Sequence, residues 1–160
     1  MLQRPRRNRK TAAIRSLYRE TTLTPQDFVM PFFVLKGEKR REENPALPGL
    51  CKLSKDELVK EAKRLHEKGV QAVLLFPGEA KKDERGSEAL SKKGAVPEAI
   101  SLLKKEIPSL CVLCDVALDP YTTHGQDGVL DSNGYVANDE TVSILSSMSL
   151  LLAECGADCV

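Results

Sequence analysis

The sequence predicts an α/β fold built from parallel βαβ units, and three observations predict it. First, Asp27–Leu35 (DFVMPFFVL), Val70–Pro77 (VQAVLLFP) and Leu110–Leu118 (LCVLCDVAL) are near-continuous apolar runs without the alternation of a half-solvated strand. Strands covered on both faces read this way, and parallel sheets are where they occur. Second, helical patterns separate the runs, so strand and helix alternate along the chain. Third, 160 residues with 41% apolar and 29% charged side chains suffice for one real core. The crossovers are expected to be right-handed.

Taken in order, RPRRNRK (Arg4–Lys10) opens a basic stretch, and residues 1–26 read as an arm before the fold. Such an arm can be merely solvated, can bind nucleic acid or can wrap a neighbouring subunit. The lack of interleaved aromatics and a net charge of only +1 argue against nucleic acid. In the first strand Pro31 belongs at a margin or a bulge, because it has no N–H to give a ladder. GEKRREENPALPGL (Gly37–Leu50) reads as a polar, turn-rich loop. Ser54-Lys55-Asp56-Glu57 has the form of a capping box; Leu58, Ala62, Leu65 and His66 follow at helical spacing, and Gly69 stops the helix. His66 reads as a helix-surface residue.

After the second strand, GEAKKDERGSEALSKKG (Gly78–Gly94) is a long charged loop, a solvated linker or a mobile lid. Val96-Pro97-Glu98 opens a second helix, with Ile100, Leu103 and Ile107 on its apolar face. The third helix starts at Asn138-Asp139-Glu140-Thr141, faces Val142, Leu145, Leu152 and Ala153 inward, and closes at Gly156. Ala157–Val160 begins a fourth strand. A helix feeding a strand that has only begun reads as the first half of a larger α/β fold.

Charge points the same way. All 24 lysines and arginines lie in residues 1–105, whereas residues 106–160 carry nine acids and no lysine or arginine. The balancing cations of that acidic stretch are expected from elsewhere. The five cysteines, an odd number without a secretory apolar segment, read as free thiols. Cys111 and Cys114 sit at an odd offset within a strand, so they point to opposite faces and are unsuited to one metal. No apolar run approaches a membrane span, and the expected compartment is the cytoplasm.

The stretch that carries chemistry is VALDPYTTHGQDG (Val116–Gly128), directly after the third strand. Parallel α/β folds bind ligands at the C-terminal ends of strands. Asp115, Ala117 and Asp119 share one face of an extended strand, and Asp127 can return beside them if Gly125 and Gly128 allow a tight turn. Carboxylates meeting there can hold a hard cation such as Mg²⁺, bind a substrate ammonium or merely cap the loop. The residues alone leave these alternatives open.

DVALDPYTTHGQDG (Asp115–Gly128) resembles the metal-loop region of the porphobilinogen synthase (5-aminolevulinate dehydratase) family. RPRRNRK, FVMPFFV, LPG, LFP and GYVANDET resemble the same family in order and spacing. The resemblance implies a (β/α)₈ TIM barrel whose N-terminal arm embraces another subunit, with octamers usual. It implies a hydro-lyase that condenses two 5-aminolevulinate molecules to porphobilinogen in tetrapyrrole and haem synthesis, through two Schiff-base lysines. Asp115 matches an active-site aspartate. Zinc-type members carry three cysteines where this chain has Ala117, Asp119 and Asp127, and Gln126 stands where some have histidine. The pattern resembles the aspartate-rich, magnesium-stimulated subclass: Mg²⁺ or a monovalent cation, and no zinc. By the same resemblance Asp119 and Asp127 hold the second substrate's amine or a cation, and Tyr121, Thr123 and His124 are loop framework.

The family's Schiff-base lysines belong to later strands, and this chain has no lysine after Lys105. The expectation is therefore an arm (1–26) and the first half of the barrel (27–160, ending inside strand four), inactive by itself. The rival reading is a non-catalytic half-barrel that associates through open sheet edges. Neither nucleic acid nor membrane is an expected partner.

Overall fold

The computed structural model describes residues 2–160. Five strands, β1 (Val29–Leu35), β2 (Arg41–Glu43), β3 (Cys51–Ser54), β4 (Ala72–Pro77) and β5 (Cys111–Cys114), form one sheet in the order β2-β3-β1-β4-β5. β1 is parallel to both β3 and β4, β4 is parallel to β5, and only β2 runs antiparallel, against β3. Four helices, α1 (Ala12–Leu17), α2 (Lys55–His66), α3 (Ala95–Glu106) and α4 (Asn138–Glu154), complete the chain.

The expected run β1, β4, β5 is present, with neighbours in chain order. Beside β5, Cys159 forms a parallel bridge with Leu113, and Asp158 N–H and Cys114 N–H bond across to Val112 and Cys159 carbonyls at 2.9 and 3.0 Å. A next strand in sequence order thus begins where expected. Phe32, Val34, Val73, Leu75, Val112 and Cys114 are buried in one cluster with Leu58 and Ala62 of α2, Ile100 and Leu103 of α3, and Met148 and Leu152 of α4. The alternate residues Phe33, Leu74, Phe76 and Leu113 are only half-buried. Helices therefore cover one face, and the other face of the sheet stays open. Chain-order strands with helices on a single face are the pattern of a barrel wall, not of a doubly wound sheet.

Pro31 lies inside β1, in register with Leu74, and makes no bulge. Successive backbone groups point to opposite sides, and the Val34 carbonyl accepts Gly78 N–H on the β4 side at 2.8 Å. Pro31, three residues earlier, faces the β3 side, where pairing begins only at Phe33. Its missing donor costs no ladder bond there.

Five local expectations need correction. The Gly37–Leu50 loop contains β2 and leads into β3, a hairpin that docks on β1. The capping box at Ser54 does not form: the Ser54 hydroxyl accepts Arg40 N–H at 2.9 Å and donates to Asp56 Oδ1 at 2.6 Å, so it is spent before it can cap α2. β5 stops at Cys114, so Asp115–Leu118 leaves the sheet. In α4 the buried residues are Thr141, Met148, Leu151 and Leu152, while Val142 is 53% exposed and Ala153 is also exposed. His66 is a half-buried tie: its ring bridges the Val70 carbonyl and the Ser109 hydroxyl, each at 3.1 Å, across the α2 and α3 exits. The arm carries α1, capped by Thr11 Oγ1 on Ile14 N–H at 3.2 Å, and is exposed almost throughout.

Candidate functional site

The site is built where β5 releases the chain. Asp115 is the first residue past the strand, its N–H still 3.4 Å from the Leu75 carbonyl. Period two places it with Leu113 on the open face, at the level of Phe76. There Phe76 stacks on Phe33 with ring centroids 5.6 Å apart. The Asp115 carboxyl is half-buried and is pushed above the ordinary aspartate range, first by burial and then by the negative charges of Asp119 and Asp127.

The three aspartates converge through loop closure rather than along an extended strand. Asp127 Oδ1 accepts the Leu118 N–H at 2.6 Å, which folds the far end of the loop back onto its start. Leu118 is fully buried and anchors the near end; its carbonyl accepts Tyr121 and Thr122 N–H at 2.9 and 3.0 Å. Thr122, also fully buried, donates its hydroxyl to the Gln126 carbonyl at 2.9 Å. Gly125 supplies the turn with φ +71°, a conformation that side chains resist. Gly128 is required for a different reason: a Cβ there would lie 2.6 Å from Val136 Cγ1 and 2.9 Å from Thr141 Oγ1. The same Thr141 hydroxyl accepts Val129 N–H at 3.1 Å, so the loop's end is bonded to the first turn of α4.

Each residue singled out in the sequence now has a place. Asp119 and Asp127 are exposed at the mouth; Ala117 is half-buried and offers no ligand. Tyr121 is buried, and burial pushes its phenol upward, so it keeps its proton within the framework of the loop. Gln126 N–H donates to His124 Nδ1 at 3.2 Å, which leaves the ring hydrogen on Nε2, 3.1 Å from the Glu84 carbonyl.

The Gly78–Gly94 segment is neither linker nor free lid. Asp83 and Thr122 form a parallel bridge: Asp83 N–H reaches the Tyr121 carbonyl at 3.2 Å, and Thr123 N–H the Asp83 carbonyl at 3.1 Å. Arg85 pairs with Glu140 of α4. The segment also walls a cavity of about 570 Å³ beyond the ends of β1 and β4, lined by Lys36, Glu79, Lys81, Asp83, Ser87 and Glu88. These residues were missed in the sequence. The available signal was the DERGS turn, in which Asp83 Oδ1 accepts Arg85 and Ser87 N–H at 2.9 and 3.0 Å.

Zinc takes thiolates and imidazoles in a closed tetrahedron, and Ala117, Asp119 and Asp127 offer neither. The nearest cysteine in sequence, Cys114, is pushed up to about 12 by burial and stays a thiol. Mg²⁺ is different, because it keeps most of its waters and needs only one or two carboxylates. Asp119 and the second oxygen of Asp127 offer that much.

A stability signature follows from Asp115. Its folded-state affinity for a proton is raised, so its contribution is fully present below the unfolded carboxyl pKa and is lost as pH rises through the folded value. Asp115→Asn should therefore raise the thermal unfolding midpoint at pH 7, with the gain vanishing below about pH 4. A lower midpoint at pH 7 would show that the carboxylate is stabilising.

The family model described as Delta-aminolevulinic acid dehydratase matches residues 2–160. The Chlamydia pneumoniae protein named delta-aminolevulinic acid dehydratase is 49% identical over 160 residues, 99% of this chain and 48% of its own length. The chloroplastic protein of that name from Selaginella martensii is 44% identical over 165 residues, covering 100% of this chain and 39% of its own. The crystal structure of the Toxoplasma gondii enzyme, in complex with its reaction product porphobilinogen, superimposes with a TM-score of 0.93 at 38% identity. That match covers 99% of this chain and 46% of the Toxoplasma chain. The chain thus spans about half the length, or less, of these relatives.

Proposed function

The chain belongs to the delta-aminolevulinic acid dehydratase family, and from that premise we propose that it is the N-terminal half of a magnesium-type porphobilinogen synthase. The observation that carries the reading is the loop closure beyond the C-terminal end of β5, where Asp127 folds back onto the Leu118 N–H and the charges of Asp119 and Asp127 act on the half-buried Asp115. Exposed Asp119 and Asp127 receive the ammonium of a second 5-aminolevulinate. Asp115, desolvated and flanked by like charges, is a stronger base than a free aspartate and can take a proton from that amine. Bound Mg²⁺, the alternative occupant of the Asp119–Asp127 pair, would supply positive charge and ordered water there. The Schiff-base lysines of the reaction are proposed to come from sequence beyond this chain.

The reading extends to a cytoplasmic homo-oligomer assembled through the arm, as the family resemblance implies. Supporting it, Leu17, Tyr18 and Leu23 are 84, 61 and 70% exposed, more apolar surface than a free arm would leave in water. No helix among the described residues is long and apolar enough to cross a membrane.

The test is to isolate the protein from its native source and measure porphobilinogen formation from 5-aminolevulinate under zinc-selective chelation and under full chelation. Activity should survive the first, fall under the second and return with Mg²⁺. Strict dependence on zinc would overturn the magnesium assignment, and no product under any condition would overturn the enzyme.

A further inference from the structure

Among the described residues, His124 bonds both the aspartate loop and the segment before α3 through its two ring nitrogens. Its Nδ1 accepts the N–H of Gln126, two residues on, as an Asx side chain would in a turn. That turn, with Gly125 at its centre, delivers Asp127 to the Leu118 N–H. Its Nε2 hydrogen reaches the Glu84 carbonyl, 40 residues away in sequence, beside the Asp83–Thr122 bridge. Glu84, Arg85, Thr123, His124 and Asp131 line a cleft of about 460 Å³ behind the junction, where the His124 bond adds to the backbone bridge of Asp83 with Tyr121 and Thr123.

We propose that His124 is a positioning residue that sets the Asp127 turn with one ring nitrogen and fastens it to the Gly78–Gly94 segment with the other. With the Asp83 backbone bridge and the Thr122–Gln126 bond, the two ring bonds join the loops and help hold the carboxylate at 127 in its place. The significance of that place rests on the reading that Asp127 receives substrate; the two bonds do not.

Two substitutions divide the ring's functions. In His124→Asn the side-chain oxygen still accepts Gln126 N–H but is too short to reach Glu84. In His124→Gln the amide reaches Glu84 but has no acceptor at the δ position. Amide hydrogen exchange by NMR on the 160-residue chain reads both. His124→Gln should speed exchange at Gln126 and Leu118 by about tenfold and leave Asp83 and Thr123 alone. His124→Asn should do the reverse, and His124→Ala should speed all four.

Exchange at all four amides within about twofold of wild type in His124→Ala would overturn the proposal. So would a rise spread evenly over the whole chain, since that marks general destabilisation. No substrate enters the measurement, so failure of the synthase reading would show in the native-source assay and not here.

Discussion

Incubated with 5-aminolevulinate and borohydride, the 160-residue chain should gain no stoichiometric adduct on any lysine and release no porphobilinogen. A Schiff-base lysine must be deprotonated at working pH, which needs desolvation or a neighbouring cation. The lysines here sit in the opposite surroundings. Lys55, Lys60 and Lys92 are pushed upward by hydrogen bonds to Glu98, Glu57 and Glu154. Lys104 Nζ is bonded to Asp158, at 2.9 and 3.0 Å, and to the Leu110 carbonyl at 3.0 Å. Lys82 approaches the aspartate loop, yet only at the Asp119 carbonyl, 3.5 Å away on an exposed stem. Lys52 is half-buried on the open face, in register with Phe33, but its charge lies near the Glu79 carboxylate, which it helps to push down. Intact-mass and peptide mapping after reduction give the readout, and one lysine labelled in full would overturn this assignment.

What could be read from the sequence divides along the range of the forces involved. β1, β4 and β5 were legible because burial on the helix side and stacking on the open side leave no polar alternation. β2 was not, because Arg-Glu-Glu is exposed at all three positions and becomes a strand only by pairing with Cys51–Leu53. The face of α4 was misread for a related reason. From Thr141 to Ala153 it carries no charge, and apolar residues occupy every side, so periodicity cannot choose between Val142 and Thr141. At the site, the aspartates and the turn at Gly125 were legible as local chemistry, whereas Gly128 is required by its packing against Val136 and Thr141. The Asp83–Thr122 bridge and the His124–Glu84 bond join segments nearly 40 residues apart or more, and no local pattern announces them.

Leu118→Ala should lower stability far more than Asp127→Ala, although the two residues share one hydrogen bond. Leu118 is 0% exposed and its side chain packs against the loop containing Gly86, where an added Cβ would lie 3.3 Å from Leu118 Cδ2. Truncating a side chain so enclosed costs about 2–5 kcal/mol, from lost transfer energy and the cavity left behind. For a chain of this size that is a fall of roughly 5–15 °C in the unfolding midpoint. Asp127 is exposed, and its loss frees one partly buried N–H that water can still reach in part. About 1 kcal/mol or a little more is expected there. The two effects should not add, because the Asp127 bond exists only while Leu118 holds the backbone at its end of the loop. The double variant should therefore lie within a few tenths of a kcal/mol of Leu118→Ala alone. If Asp127→Ala proves as damaging as Leu118→Ala, the carboxylate is a pillar of the fold and not a group held at the mouth for a ligand.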